Sequence, residues 1–386
     1  MIIFNKKFLF MLISILSLSF LLVACGGADN DEGTADEGAD NEEDNTEQQD
    51  TEDTGDTGET AEDEGTTYEE QTWGFVTEEL EGQVQYEYAA EFANRISEKT
   101  DGAITVEPYE YGGLGSEVDQ AQLLQQGGIE MAVMSPGFTG GQVPDGQIFS
   151  LHYFFPAKPE LTQEVLTNSE ALNTDLRAKY EEHSITPLSF WTEGSMAWTS
   201  NVGIDEPSDW EGLNMRVQES PLMRETYAEY GATVQSLSWG ELYTALDRET
   251  VDAQENPIFF IESASFHEVQ DTITVSHHNN YIAMTTVNTD WYNGLSDAEK
   301  TLIDETVAEM QDWVFEEQKS QNDAGLEAIE ADTENPTEII ELTEEQIAAF
   351  KEVAEPVHEF YRDEVEGIDP ELFDKLKQEI AEVTGE

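Results

Sequence analysis

Two spacings of apolar residues alternate along the start of the folded region. A spacing of two, or a short apolar run, predicts strands, and a spacing of three or four predicts helices. Ser116, followed by an acidic residue three positions later, is a capping-box-like helix start. Predicted strands lie at 73–77, 103–109 and 129–134, and predicted helices lie at 83–99 and 116–126. This order predicts an α/β domain with a mainly parallel sheet.

A second series of elements follows after a helix at 161–182 and a strand at 185–191. Further predicted strands lie at 213–217, 233–237, 272–276 and 281–288, and further helices at 221–230 and 239–248. The end of the chain is helical, from Asp297 to about 329, then at 343–364 and 370–383. Two α/β units followed by packing helices predict two lobes. Ligands in such sheets bind at the carboxyl ends of the strands, which predicts a site in the cleft between the lobes.

Residues 1–25 have the pattern of an export signal. Lys6 and Lys7 precede a 16-residue apolar run at 8–23, which is short for a membrane span. The run ends in Leu-Val-Ala-Cys at 22–25, which resembles a bacterial lipobox. The resemblance implies cleavage before Cys25, a lipid on its thiol and anchoring outside the cytoplasmic membrane.

Residues 26–72 contain 20 Asp and Glu, no Lys or Arg, and almost no apolar side chains. Such a segment cannot bury enough surface to offset the entropy of ordering, and its like charges repel one another. The composition therefore predicts an acidic disordered tether between the lipobox and the folded region.

Acidic residues are also in excess in the folded region. The whole chain of 386 residues has a formal charge of −69, and residues 73–386 hold 65 acids and 14 bases, or −51. This charge excludes nucleic acid as a partner, because a surface this acidic repels phosphate. It suits a salty exterior, where ions screen the repulsion. The single cysteine excludes an intrachain disulfide and a cysteine-based zinc site.

The sequence contains none of the common motifs for nucleophilic, metalloprotease or nucleotide chemistry. The adjacent pair His277–His278 does not predict a shared metal, because neighbours on a strand face opposite ways. We therefore predict no catalytic residue, no cofactor and no metal site. An extracellular α/β hydrolase and a ligand-sensing subunit for a signalling kinase remain alternatives from other classes.

Arg216 lies inside the apolar strand 213–217, and it is one of only six arginines. A buried guanidinium needs an anionic partner. The partner is either one of the chain's many acids, in a structural salt bridge, or the carboxylate of a ligand held in bidentate fashion.

Arg216, taken with the stretches 238–246 and 251–257, resembles the solute-binding subunits of tripartite ATP-independent periplasmic (TRAP) transporters, the DctP-type family. The resemblance spans about residues 73–319. It implies a two-lobe fold like that of periplasmic binding proteins, with a long connecting helix, C-terminal helices and a membrane permease as partner. In that family an arginine pairs with the ligand carboxylate and an asparagine lies near the cleft. These positions fall on Arg216 and Asn256. We expect residues 73–193 with 283–322 to form lobe I, and residues 194–282 with 323–386 to form lobe II.

Met196 stands where many carboxylate-binding members have a second arginine. The segments 135–140, 239–241 and 256–263 instead resemble the ectoine-binding branch, whose ligand is a zwitterion. That resemblance assigns the carboxylate to Arg216, the amidinium to Glu79, and an aromatic box to Phe138, Trp239 and Phe260. The aromatic residue expected near Asn280 is absent there, although Tyr281 is adjacent. A sugar acid or another organic acid is the alternative ligand within the same class.

Overall fold

The computed structural model describes residues 67–385, and the predicted signal, Cys25 and most of the predicted tether lie outside the described residues. The strands are β1 (Gln71–Val76), β2 (Ile104–Tyr109), β3 (Met131–Met134), β4 (Ile185–Ser200), β5 (Asn214–Val217), β6 (Thr233–Ser236), β7 (Ala253–Pro257), β8 (Thr272–Val275), β9 (Asn280–Asn288) and β10 (Glu338–Glu341). The helices are α1 (Val84–Lys99), α2 (Glu117–Gln125), α3 (Pro136–Thr139), α4 (Pro159–Asn168), α5 (Arg177–Glu181), α6 (Pro221–Glu229), α7 (Trp239–Asp247), α8 (Ile258–Ser263), α9 (Thr289–Gly294), α10 (Asp297–Ala331), α11 (Glu344–Glu364) and α12 (Pro370–Thr384).

The strands form a mixed sheet in the order β2-β1-β3-β9-β4-β7-β5-β6, with β8 beside β4 and β10 beside β8. β1 pairs in parallel with β2 and β3, and β5 pairs in parallel with β6 and β7. The strands between these two groups are antiparallel to their neighbours. The predicted α/β class is therefore confirmed. Parallel pairing occurs within each group and between β8 and β10, whereas the connecting strands β4 and β9 are antiparallel to their neighbours.

β4 is shared by the two groups of strands. Its residues 185–195 pair with β9, and its residues 196–200 pair with β7. The pairing with β9 shifts register at Gly194, whose φ of +108° is in the region that favours glycine. A Cβ at this position would lie 2.6 Å from Asn322 Nδ2 on α10. We call lobe I the elements on the β9 side of this bend, which include β1, β2 and β3. We call lobe II the elements on the β7 side, which include β5, β6 and β7.

The 35-residue helix α10 packs against α1 in lobe I and against α8 in lobe II. Ser296 and Glu299 form the capping box that starts it. The long connecting helix expected from the sequence is thus present. Gly325 allows the close approach of α8, since a Cβ there would lie 3.1 Å from the Cα of Phe259.

The C-terminal helices pack on different lobes. α11 contacts α6 of lobe II. α12 instead buries Leu372, Phe373 and Leu376 in the core that holds Val165 and Tyr180 of lobe I. The proposed lobe boundaries therefore need one change, because the last helix packs with the first lobe and not with the second.

The predicted helix at 161–182 is broken in the structure. α4 ends at Asn168, and a π-helical turn, Ala171–Leu176, precedes α5. Ser169 causes the break: its hydroxyl accepts the Leu172 N–H at 3.1 Å and contacts the Glu379 carboxylate of α12. Across residues 67–385, no helix has the length and apolar character that a membrane crossing requires.

Candidate ligand-binding site

The carboxyl ends of five strands meet between the lobes: β1 and β3 from lobe I, and β5, β6 and β7 from lobe II. Polar and aromatic side chains at or after these strand ends surround a small chamber. Its walls are Glu78, Glu117, Phe138, Arg216, Gln218, Trp239, Asn256, Phe260 and Tyr281. This is the position in which open α/β sheets bind ligands.

Arg216 is the cation of the chamber, and its side chain is buried. Nε and Nη2 both donate to the Leu237 carbonyl, at 3.0 and 2.9 Å, which fixes the plane of the guanidinium. No Asp or Glu among residues 67–385 forms an ion pair with it within 4.0 Å. Burial lowers the pKa of Arg216, but a guanidinium remains protonated at neutral pH. The structural salt bridge considered from the sequence is therefore not found, and the remaining N–H groups are available to an anion.

Glu78 supplies negative charge in the same chamber. Its Oε2 accepts the backbone N–H of Ser135 at 2.9 Å, whereas its buried Oε1 has no hydrogen-bond partner among the described residues. Burial raises the pKa of Glu78 well above its ordinary value, and the carboxylate of Glu117 raises it further. A cationic ligand group beside Glu78 would complete its hydrogen bonding and favour its ionised form.

Glu79 does not line the chamber and is instead turned towards Glu193. Both carboxyl groups are fully buried and are tied to Gln85: its backbone N–H donates to Glu79 at 2.6 Å, and its amide donates to Glu193 at 2.9 Å. Burial and the charge on Glu193 raise the pKa of Glu79 well above its ordinary value, and burial raises the pKa of Glu193 to about 7. Glu78 in the chamber wall and Glu79 and Glu193 behind it thus form a group of acids that we call the anionic cluster.

We expect Glu193→Gln to stabilise the unliganded protein at pH 8 by about 1–3 kcal/mol, with little effect at pH 4.5. Because the folded pKa is raised, Glu193 binds more protons in the folded than in the unfolded state. Its contribution to stability is present below pH 4.5 and is lost as the pH rises through about 7. Denaturant unfolding at both pH values measures this, with the exposed Glu219→Gln as the control for removing one charge. Equal effects of both variants at pH 8 would contradict the prediction.

Aromatic rings form another part of the chamber wall. The ring centroids of Trp239 and Phe260 are 4.8 Å apart, and those of Phe260 and Tyr281 are 5.9 Å apart. Phe138, from the short helix α3, is also in the chamber wall. Faces of aromatic rings attract delocalised cations by about 0.5–2 kcal/mol.

A second small chamber adjoins the first and shares Gln218 and Tyr281 with it. Gln218 Nε2 lies 3.2 Å from the Tyr281 hydroxyl. Met196 lines this second chamber together with the polar residues Ser135, Ser150, Asn279 and Asn280. Arg216 is thus the only Arg or Lys in the described walls of the two chambers.

Two hydrogen bonds cross the cleft and join lobe I to the start of α7. Glu117 Oε1 accepts the backbone N–H of Trp239 at 2.9 Å, and the Tyr111 hydroxyl accepts that of Gly240 at 3.2 Å. These N–H groups belong to the first turn of a helix, where no intrahelical partner is available. The lobes therefore contact each other at the edge of the chamber.

Five of the six predicted ligand-binding residues line one chamber: Arg216, Asn256, Trp239, Phe138 and Phe260. The sixth, Glu79, lies outside the wall, and its neighbour Glu78 is in it. The sequence analysis missed Glu78, Glu117 and Gln218 as wall residues. Glu117 is part of the Gly-Leu-Gly-Ser-Glu stretch at 113–117, but its burial depends on contacts with lobe II that a linear pattern does not contain.

Comparison with known proteins gives a consistent result. Residues 75–364 match the family described as bacterial extracellular solute-binding protein, family 7 (DctP). The chain is 34% identical over 314 residues to the ectoine-binding periplasmic protein TeaA of Halomonas elongata, covering 81% of this chain and 91% of that one. It is 32% identical over 272 residues to the C4-dicarboxylate-binding periplasmic protein DctP of Rhodobacter capsulatus, covering 70% and 80%.

A solved structure shows the same similarity. The high-resolution structure of the periplasmic ectoine-binding protein of the TeaABC TRAP transporter of Halomonas elongata superposes with a TM-score of 0.78 at 33% identity. The alignment covers 81% of this chain and all of the other.

Proposed function

Because the chain belongs to the DctP family of TRAP-transporter solute-binding proteins, we propose that it captures ectoine or hydroxyectoine and delivers it to a membrane permease. Members of this family bind small solutes outside the cytoplasmic membrane and work with TRAP permease subunits; they are not enzymes. The hydrolase considered from the sequence is therefore set aside.

The observation that carries the ligand proposal is the pair of opposite charges in one chamber. Among residues 67–385, Arg216 has no Asp or Glu oxygen within 4.0 Å, and one carboxyl oxygen of Glu78 has no hydrogen-bond partner. A zwitterion with one carboxylate and one amidinium satisfies both, whereas a dicarboxylate would place its second charge near Glu78 and the hydrophobic Met196. Ectoine has the required pair of groups.

We assign the ligand carboxylate to Arg216 and Asn256, and the apolar faces of the ring to Phe138, Trp239 and Phe260. The amidinium is assigned to the anionic cluster of Glu78, Glu79 and Glu193, with Glu78 in direct contact. Glu78 thus takes the direct contact that the sequence analysis assigned to Glu79, and Glu79 lies behind it.

Closure of the lobes excludes water from the ligand. The backbone N–H groups of α7 can donate to Glu117 and Tyr111 only when the lobes meet, so these hydrogen bonds stabilise the closed state. A closed shape that depends on a bound ligand is what a permease can recognise.

We expect titration calorimetry in molar NaCl to give saturable one-to-one binding of ectoine or hydroxyectoine to the full chain, purified in detergent. Glu78→Gln should weaken this binding about tenfold or more, because it removes a charge-assisted hydrogen bond. Glu219→Gln, on the surface, is the matched control. Tight binding of succinate, malate or a sugar acid, with no heat from ectoine, would exclude the zwitterion and leave the family assignment unaffected.

A sugar acid is the second candidate, favoured by the adjoining chamber. Ser135, Ser150, Asn279 and Asn280 offer hydroxyl and amide groups that suit the hydroxyls of a polyol chain. Galactonate and glucuronate in the same calorimetric series test this candidate against ectoine.

We propose further that a lipid on Cys25 anchors the protein at the extracytoplasmic face of the membrane. The tether is then residues 26–70 and not 26–72, because Gln71 and Thr72 belong to β1. Cys25 lies outside the described residues, so the proposal depends on the lipobox-like sequence at 22–25. We expect Cys25→Ala to release the protein into the soluble extracytoplasmic fraction or to leave an uncleaved precursor. Fractionation and the mass of the mature chain measure this. Normal processing and retention of the variant at the membrane would contradict it.

A further inference from the structure

Three buried side chains from distant segments meet in lobe II, behind the ligand chamber. His152 follows a 3-10 turn, Glu255 is on β7, and His278 lies between β8 and β9. Glu255 Oε2 is 2.7 Å from His278 Nε2 and 3.8 Å from His152 Nε2. The three facing ligand atoms all lie within 4.8 Å of one another, and the exposed fractions of the three residues are only 0–3%.

This cluster is incompletely hydrogen-bonded. His152 Nε2 and Glu255 Oε1 are buried and have no partner among the described residues. A buried polar atom without a partner is costly, so each such atom in a folded protein calls for an explanation. Here both atoms belong to residues of one buried cluster.

The outer atoms of both imidazoles have hydroxyl partners. His152 Nδ1 is 3.1 Å from the Tyr230 hydroxyl, and His278 Nδ1 is 2.5 Å from Ser276 Oγ. If each Nδ1 carries the proton and donates it to its hydroxyl, both Nε2 lone pairs face Glu255. Metal-ligating histidines have this arrangement, in which an outer hydrogen bond fixes the tautomer and the ring orientation.

Neighbouring side chains hold the cluster rigid. Trp198 stacks on His278, with ring centroids 4.5 Å apart, and its indole N–H donates to the Tyr227 hydroxyl at 2.8 Å. Tyr227 in turn donates to Glu255. A surface groove reaches His152 and is lined by Lys351, Glu352, Glu355 and His358, so one edge of the cluster borders a groove that is open to solvent.

We propose that His152, Glu255 and His278 form a binding site for a divalent transition-metal ion. Two imidazoles and a carboxylate are a donor set that suits Zn²⁺, with water or the Tyr227 oxygen in the fourth position. When the ion binds, the hydrogen bond between His278 Nε2 and Glu255 Oε2 opens and its proton is released to water. This leaves a neutral His278 with its remaining proton on Nδ1, and an ionised Glu255. The ion then joins three chain segments of lobe II that are far apart in sequence. Sequence reasoning considered only the adjacent pair His277–His278, whereas the structure places His278 with His152.

The test uses Zn²⁺ and Co²⁺ as probes on the full chain in detergent and molar NaCl, with excess Mg²⁺ to occupy surface carboxylates. We expect one Zn²⁺ per chain, a rise in Tm that EDTA reverses, and the intense visible absorption of four- or five-coordinate Co²⁺. His152→Ala and His278→Ala should each weaken Zn²⁺ binding by more than roughly 10- to 100-fold, which is the usual cost of losing a side chain that hydrogen-bonds to a metal ligand. His183→Ala, an exposed histidine of lobe I, should leave it unchanged.

Two outcomes overturn the proposal. One is the absence of stoichiometric Zn²⁺ binding and of intense Co²⁺ absorption in the wild-type chain, which makes the cluster a hydrogen-bond network. The other is unchanged Zn²⁺ binding in both histidine variants. If an alanine variant does not fold, His152→Gln and His278→Gln replace it, because Gln preserves a polar side chain of similar length. Ectoine titration is measured separately, so failure of the metal site leaves the ligand proposal standing.

Discussion

Replacing Arg216 with Lys is expected to weaken ligand binding by about 2–5 kcal/mol, or roughly 30- to 3,000-fold, while the fold is preserved. The guanidinium has two tasks. Nε and Nη2 hold the Leu237 carbonyl, and the remaining N–H groups face the chamber. A lysine ammonium is a single point charge that cannot hold this carbonyl and present a planar fork to a carboxylate at the same time.

Calorimetry with ectoine measures this loss, and circular dichroism checks that the variant is folded. Arg224→Lys is the matched control, because Arg224 is an exposed arginine of the same lobe. An affinity within twofold of the wild type for Arg216→Lys would mean that the arginine is structural, and the carboxylate would then need another partner.

The melting temperature is expected to rise by about 10 °C or more as NaCl increases from about 0.05 M to 1 M. Residues 73–386 carry a net charge of −51, and their 14 Lys and Arg cannot pair with 65 acids. The folded chain concentrates this charge, whereas the unfolded chain spreads it out, so repulsion acts against folding. Salt shortens the range of repulsion from over 10 Å to about 3 Å.

Differential scanning calorimetry of the unliganded protein provides the measurement. Screening is nearly complete at about 1 M, so the curve should flatten there. A melting temperature that rises linearly up to the solubility limit of NaCl would indicate exclusion of salt from the protein surface. A flat or falling curve would contradict the interpretation that the acidic surface is adapted to salt.

Local signals predicted most of the regular elements. Ser116, Ser296 and Thr343 start helices with capping boxes, and the sequence places them within one residue of the observed starts. The sequence pattern does not predict β7, because Gln254, Glu255 and Asn256 are polar. These three residues are buried in the structure by contacts with β4 and the histidine cluster, which are remote in sequence.

The candidate site was predicted where its residues belong to a recognisable pattern. Arg216 in an apolar strand and the aromatic residues after β6 and β7 are visible in the sequence. The sequence does not show which of Glu78 and Glu79 faces the chamber. Adjacent residues at the end of a strand face opposite ways, and only the packing of Gln85 and Glu193 turns Glu79 away from the chamber. The meeting of residues 152, 255 and 278 likewise depends on tertiary structure.

The position of β9 in the sheet has a consequence for export. β3 has no partner on one side until residues 280–288, which form β9, have been synthesised. The helix α10, which packs against α1, is synthesised later still. Pairings across more than 150 residues, such as Met131 with Val287, form slowly because a long loop must close first. We therefore expect the nascent chain to stay unfolded through most of its synthesis, which is the state that a secretion channel can thread.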